Sequence, residues 1–215
     1  MADKIYVFEN VGDAVSELKN FKDKTTHPKR TIDEIVHSTQ GSTFRAFRNV
    51  GYPPSKIFRH WAYRYFNKII KDMDGAKTQN DYDQRLTYWV MTLQKEWQEK
   101  SKKNIDFGRA AKLVNLFARD IWESIDPVTG KYYVRNRKIQ KFLHVPFDSF
   151  SLRPLRMIIQ DLTSENIENI PSNASMKYVK NRKQYMTLQK AVIKLCKKAK
   201  TDPIMYEYWS WKRTH

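Results

Sequence analysis

Asn104-Ile-Asp-Phe-Gly108-Arg-Ala-Ala-Lys112 leads directly into the apolar segment Leu113–Ile125, and the reading of that join decides the fold. Leu113, Leu116/Phe117, Ile121 and Ile125 recur at helical spacing, so the stretch predicts an amphipathic helix with Lys112 in its first turn. The positive end of the helix dipole disfavours a cation there and, with partial burial, depresses the pKa of an amine. A neutral amine attacks carbon. Lys112 is therefore a candidate nucleophile, against the plainer reading of a surface lysine on an amphipathic helix.

Toward the C-terminus, His144-Val-Pro-Phe-Asp148-Ser-Phe150 closes a basic run. Asp148 follows Pro146 by two residues and sits between Phe147 and Phe150, where a carboxylate either caps a helix through Ser149–Ile159 or does chemistry. Between the two candidates, Asp126-Pro-Val-Thr-Gly130 is a turn by composition. After it, Lys131-Tyr-Tyr-Val-Arg135-Asn-Arg137-Lys138 places four cations in eight residues with two tyrosines. Cations neutralise phosphates and tyrosines stack on bases, which is what a nucleic-acid groove needs. The plainer reading is an exposed basic helix or hairpin. His144, just before Val-Pro, is a further candidate for phosphate or deoxyribose contact, although a lone histidine is more often structural.

The order Gly108-x-x-x-Lys112, then an apolar helix, then Val145-Pro-Phe-Asp148 resembles the helix-hairpin-helix superfamily of DNA glycosylases, especially its lysine-bearing 8-oxoguanine glycosylase branches. Ala110 stands where the family hairpin has a second glycine. The resemblance covers about a fifth of the chain. It implies that Lys112 attacks the sugar C1′ and that Asp148 assists. It also implies that Gly108 and Arg109, at the hairpin, join Arg135, Arg137, Lys138 and His144 in contacting DNA. The family default substrate is an oxidised purine, and some phage-defence glycosylases of bacteria act on modified phage bases, so DNA repair and antiviral defence are both implied.

Composition agrees with a polyanionic partner. The chain of 215 residues carries 40 Lys+Arg against 23 Asp+Glu, a net charge of +17, with 40% hydrophobic and 13% aromatic residues. That is enough apolar content to fold as one domain, and so large a cationic surplus points first to nucleic acid and then to an anionic membrane surface. A single cysteine, Cys196, makes no intrachain disulfide, and with five scattered histidines it gives no zinc spacing. Cys196 reads as a buried thiol on the apolar side of a basic helix. No stretch has the roughly 18 apolar residues that span a bilayer. The expectation is a cytoplasmic or nucleoid-associated monomer with DNA as its partner, no membrane, no cofactor and no metal.

The rest of the chain reads as scaffold. Val11–Lys22 is a short amphipathic helix through Val15 and Leu18, and Thr31-Ile-Asp-Glu34 is a capping box. Ser55–Lys71 predicts a long helix with Ser55 as N-cap and Ile57/Phe58, Trp61, Tyr65 and Ile69 as an aromatic stripe, core sooner than a stacking surface for an extruded base. Asp81–Lys100 repeats the pattern with Tyr82, Leu86, Trp89, Val90, Leu93 and Trp97. Ser149–Leu162 is helical with an interruption at Arg153-Pro154, Thr163–Ser175 is a loop, and Ser175–Lys200 is another basic helix. The aromatic tail Asp202–Trp211 packs back on the core; within the resemblance its tyrosines and tryptophans line the base pocket.

The fold expected is all-α, with a small hairpin around Lys131–Val134, and the resemblance implies two helical lobes flanking a cleft. The function expected is a DNA glycosylase, with or without AP-lyase activity. Two other classes compete: a non-catalytic basic DNA-binding protein in which Lys112 only contacts phosphate, and a metal-dependent nuclease using Asp120, Asp126 and Asp148 as magnesium ligands.

Overall fold

Three long helices form the frame, and their apolar faces are those the sequence marks. The computed structural model describes residues 7–22, 26–39, 41–44, 47, 53–165 and 167–213. Its first elements are α1 (Val11–Asn20), α2 (Ile32–His37), α3 (Gly41–Phe44) and α4 (Pro54–Gly75). Then come α5 (Gln79–Ser101), α6 (Phe107–Glu123), α7 (Ser149–Leu152), α8 (Ile159–Leu162), α9 (Arg182–Lys198) and α10 (Pro203–Lys212). The described chain is all-α; two isolated β-bridges, Lys29 with Ile125 and Ile125 with Tyr132, are its only extended pairing. The hairpin expected at Lys131–Val134 is thus one bridge beyond a turn closed by Gly130 N–H to Asp126 O, 2.8 Å.

All six apolar positions expected on α5 are buried. The helix starts two residues early because Thr78 caps it: its hydroxyl accepts from Asp81 N–H, and the Asp81 carboxylate accepts from Thr78 N–H. Ile57, Phe58, Trp61 and Ile69 of α4 are buried, so that stripe is core. Proline replaces the expected serine cap: Pro54 takes the first helical position, where its missing N–H costs nothing, and Ser55 lies inside the first turn. The Thr31–Glu34 capping box forms as the sequence predicts.

Helix α5 packs against both α4 and α6, and one contiguous apolar core runs through all three and into α9 and α10. The tail folds back as expected. Trp209 stacks on Phe8 with centroids 4.6 Å apart and donates its indole N–H to Glu17, 3.1 Å away. Cys196 is buried in this core, which pushes its thiol well above the usual range and leaves it unreactive.

Of the two helical segments expected after Asp148, Ser149–Leu162 is interrupted at Arg153-Pro154 as expected, and Ser175–Lys200 is not one helix. Ser149–Leu162 divides into α7, a 3-10 turn over Arg153–Leu155 and α8, with Pro154 in the turn between. Ser175–Lys200 begins as a 3-10 turn at Met176–Tyr178 and becomes helical only at Arg182. The cause is distant in sequence: the carbonyls of Val179 and Lys180 accept from Gly108 N–H (3.1 Å) and Phe107 N–H (3.3 Å), so they point at α6 rather than along a helix. No described helix is long and apolar enough to cross a membrane.

Candidate active site

Helix α6 begins at Phe107, capped by Asp106, whose carboxylate accepts from Arg109 N–H at 2.8 Å. Lys112 is consequently its sixth residue, in the second turn and not the first. The dipole fades within the first turn, so it contributes little at Lys112. What holds the amine is a partner: Lys112 Nζ donates to Asp148 Oδ2 at 2.9 Å, with the two side chains only 10% and 12% exposed. At that burial, losing one partner costs about 3–5 kcal/mol, whereas an exposed pair is worth roughly 0–1.

Asp148 both caps and pairs. Its Oδ1 accepts from the backbone N–H groups of Phe150 (2.9 Å) and Ser151 (3.1 Å), while Ser151 Oγ accepts from Asp148 N–H at 2.9 Å. With Oδ1 committed to the start of α7, Oδ2 is left to face Lys112. The approach to it is pinned too. Buried Gln189 bonds both the N–H and the C=O of Val145 (3.1 and 2.7 Å), and Tyr206 OH donates to Ser151 O at 2.6 Å.

Lys112, Pro146 and Asp148 line a cavity of about 260 Å³, together with Leu116, Arg119 and Asp120 further along α6. Tyr208 and Trp211 of α10 form another wall, and Ser38, Thr39 and Thr43, around α2 and α3, complete it. Positions 112, 116, 119 and 120 share one face of a helix, which is the signal by which Arg119 and Asp120 were recognisable from sequence. Thr39 and Thr43 carry no such signal, since the packing of α2 and α3 brings them in.

Buried carboxylates surround Arg119. Its guanidinium bonds Glu207 Oε1 and Asp120 Oδ1 (3.1 Å to the latter), and Glu123 lies 3.8 Å away. Burial pushes the Glu207 carboxyl up to about 7, outweighing the opposing pull of Arg119. Ser38 Oγ and Tyr208 OH donate to Asp120 and Glu123 respectively. Thr39 is 5% exposed, and its hydroxyl has no hydrogen-bond partner among the described residues.

Of the expected DNA contacts, Gly108 and His144 are buried, and Arg109 and Arg137 are half-buried against partners within the chain. Gly108 is buried with its N–H taken by Val179 O; a Cβ there would lie 2.4 Å from that oxygen, so the glycine is required by close packing and not by a phosphate. Arg109 folds onto Asp106, 3.3 Å away. Arg137 is sandwiched between Tyr132 and Trp122, 4.0 and 4.4 Å from their ring centroids. His144 is fully buried, its Nε2 2.9 Å from Asp83 and its Nδ1 3.0 Å from Tyr185 OH, which also accepts from Asn115 at 2.7 Å. Arg135 and Lys138 are exposed. Of the tyrosines in the basic run, Tyr133 turns inward to Arg30 O (3.0 Å) and Tyr132 carries Arg137.

The magnesium trio does not assemble. Asp120 and Asp148 share the cavity, but the Asp126 carboxylate is spent in its exposed turn on Val128 N–H and Thr129 Oγ1. Among the described residues no three His, Cys, Asp or Glu side chains are grouped to hold a metal. No protein-family model, no curated protein and no solved structure matches the chain.

Proposed function

We propose that the protein is a DNA glycosylase that excises a base flipped out of DNA, with Lys112 as nucleophile and Asp148 as its proton acceptor. The observation that carries the reading is the buried Lys112–Asp148 hydrogen bond on the wall of a cavity, made by residues 36 apart in sequence. A lysine serving only as a phosphate contact has no reason to be buried against a carboxylate. At about 260 Å³ the cavity lies just below the roughly 300–1,000 Å³ of small-molecule pockets and is of a size with a single base.

The steps follow from that geometry. A base inside stacked duplex is out of reach, so the nucleotide is extruded at a cost of about a few kcal/mol, least when it is damaged or poorly paired. The net charge of +17 supplies backbone attraction, with exposed Arg135 and Lys138 among the contacts. Asp148 Oδ2 takes a proton from Lys112, and the freed amine forms a bond to C1′. The C1′–N bond breaks, its electron pair leaves with the base, and the base is protonated by the Asp148 carboxyl. One of the two N–H protons passes to the ring oxygen as the sugar ring opens, which leaves a protonated Schiff base, and loss of a C2′ proton then expels the 3′-phosphate by β-elimination and cleaves the strand. Tyr208 and Trp211 supply an aromatic wall for the extruded base.

Borohydride trapping tests this. The protein is incubated with duplexes bearing abasic sites and candidate damaged or modified bases, then reduced. A covalent adduct that disappears in Lys112→Gln supports the reading. Abasic sites formed without any adduct, dependent on Asp148, would replace the amine by water. No product, with salt-sensitive binding retained, would overturn it in favour of a binding protein.

A further inference from the structure

We infer that the outer face of α9, with the turn leading into it, is a docking surface for the phosphate backbone of duplex DNA, engaged without regard to base sequence. The inference goes beyond the glycosylase reading and stands without it. Its starting point is where the charge lies. Residues 177–200 hold nine lysines and arginines and no Asp or Glu, so more than half of the net charge of +17 sits in this one segment. All nine side chains are exposed. Among the described residues the only ion pair that any of them makes is Lys190 with Glu165, at 3.3 Å.

The fold turns four of these cations into a row. Leu188, Val192 and Leu195 are buried in the core. On the opposite face, Lys183, Lys190, Lys194 and Lys197 lie within about 60° of one another at 3.6 residues per turn. The row is roughly 21 Å long at 1.5 Å per residue, the rise of about six base pairs, so it meets several phosphates at once. Stability of the helix does not explain it. Arg182 and Lys183 occupy the first turn, where the dipole disfavours cations, and no acidic residue accompanies them there. Lys190 with Lys194, and Lys194 with Lys198, are like charges four residues apart, which repel. Only Lys197 and Lys198, in the last turn, suit the helix dipole. A polyanion laid along the row converts that repulsion into attraction.

What the face lacks decides which polyanion. Among the described residues, none of the exposed large hydrophobic side chains lies between residues 177 and 200. A helix lying on an anionic membrane puts its apolar face among the headgroups, and the apolar face of α9 is in the core. A single strand is held by aromatic side chains on which its bases stack, but Tyr178 is half-buried and Tyr185 is buried. A rigid row of point charges without a stacking side chain fits a duplex, whose bases are already stacked and whose phosphates lie outside.

Fluorescence anisotropy with a short undamaged duplex, over a range of salt, tests this. Lys190→Gln/Lys194→Gln/Lys197→Gln should reduce the slope of log affinity against log salt by about three and weaken binding by roughly 100-fold. Lys190→Arg/Lys194→Arg/Lys197→Arg keeps the charges and should keep the slope. Lys71→Gln/Lys77→Gln/Lys100→Gln removes as much charge from exposed sites on and between α4 and α5, and should change the slope by less than about one. All the substituted side chains are exposed, so melting temperatures should agree across the set. Equal loss of slope in both glutamine triples would make the effect one of net charge alone and overturn the inference, as would an unchanged slope in the α9 triple. Vesicles of phosphatidylserine and phosphatidylcholine, and a single strand of the same sequence, are the competing partners. Tighter binding of either than of the duplex, lost in the α9 glutamine triple, overturns the inference as well. The duplex carries no lesion, so these outcomes are independent of borohydride trapping, which bears on the glycosylase reading alone.

Discussion

Lys112 Nζ and Asp148 Oδ2 are 2.9 Å apart because the other oxygen of Asp148 is fixed at the start of α7 and α6 is fixed against the Met176–Val179 turn. The pair is an outcome of two unrelated anchors. Removing either anchor should be distinguishable from removing the chemistry.

Asp148→Asn keeps an N-cap of comparable strength and removes the charge, whereas Asp148→Ala loses both. Both should abolish excision. In urea unfolding, the alanine variant should be about 1 kcal/mol less stable than the asparagine variant. Equal stabilities would mean that the cap contributes nothing.

Gly108→Ala places a methyl 2.4 Å from Val179 O and 2.6 Å from its Cβ, against backbone that does not yield cheaply. Overpacking of this kind costs about 1–3 kcal/mol. Thermal melting should fall by several degrees, at about 2–4 °C per kcal/mol for a domain of this size. A variant melting with the wild-type chain would contradict the close approach.

His144→Ala leaves Asp83 and the Tyr185–Asn115 bond without their central partner, at a cost of about 1–3 kcal/mol. Its effect belongs to stability. The slope of log affinity for DNA against log salt should not change, since His144 is buried. By contrast, Arg135→Gln and Lys138→Gln should each reduce that slope by about one with little effect on melting. Arg137→Gln should do the reverse, because its charge is stacked on Tyr132 and Trp122.

Glu207 carries a pH dependence of definite sign. Its carboxyl is raised from 4.5 to about 7 in the folded chain. Across that window the unfolded chain releases the proton first, so the stability Glu207 contributes when protonated is lost as pH rises through about 7. Glu123, raised by burial as well, acts in the same direction. Denaturation midpoints compared at pH 5 and pH 8 should fall less in Glu207→Gln than in the wild-type chain. Equal falls would assign the effect elsewhere.

Much of the frame is local in origin and was legible. The 3.6-residue recurrence along α4, α5 and α6 follows from which faces must be buried, and Thr31 with Glu34 needs only four residues to form a capping box. Lys112 and Asp148 were each recognisable by their setting, and the tail aromatics by their number. The second-turn position of Lys112, the ion pair itself and the placing of Thr39 beside Asp120 were not, because each depends on contacts between segments far apart in the chain. Gly108 shows the difference most plainly. As a sequence feature it marks a hairpin before a lysine; in the fold it is the one residue small enough for the Val179 carbonyl to reach its N–H, an approach that also prevents the Ser175–Lys200 segment from being one helix. Periodicity and caps are set by neighbours in the chain, whereas which buried polar group meets which is set by packing between helices, and only the tertiary structure decides that.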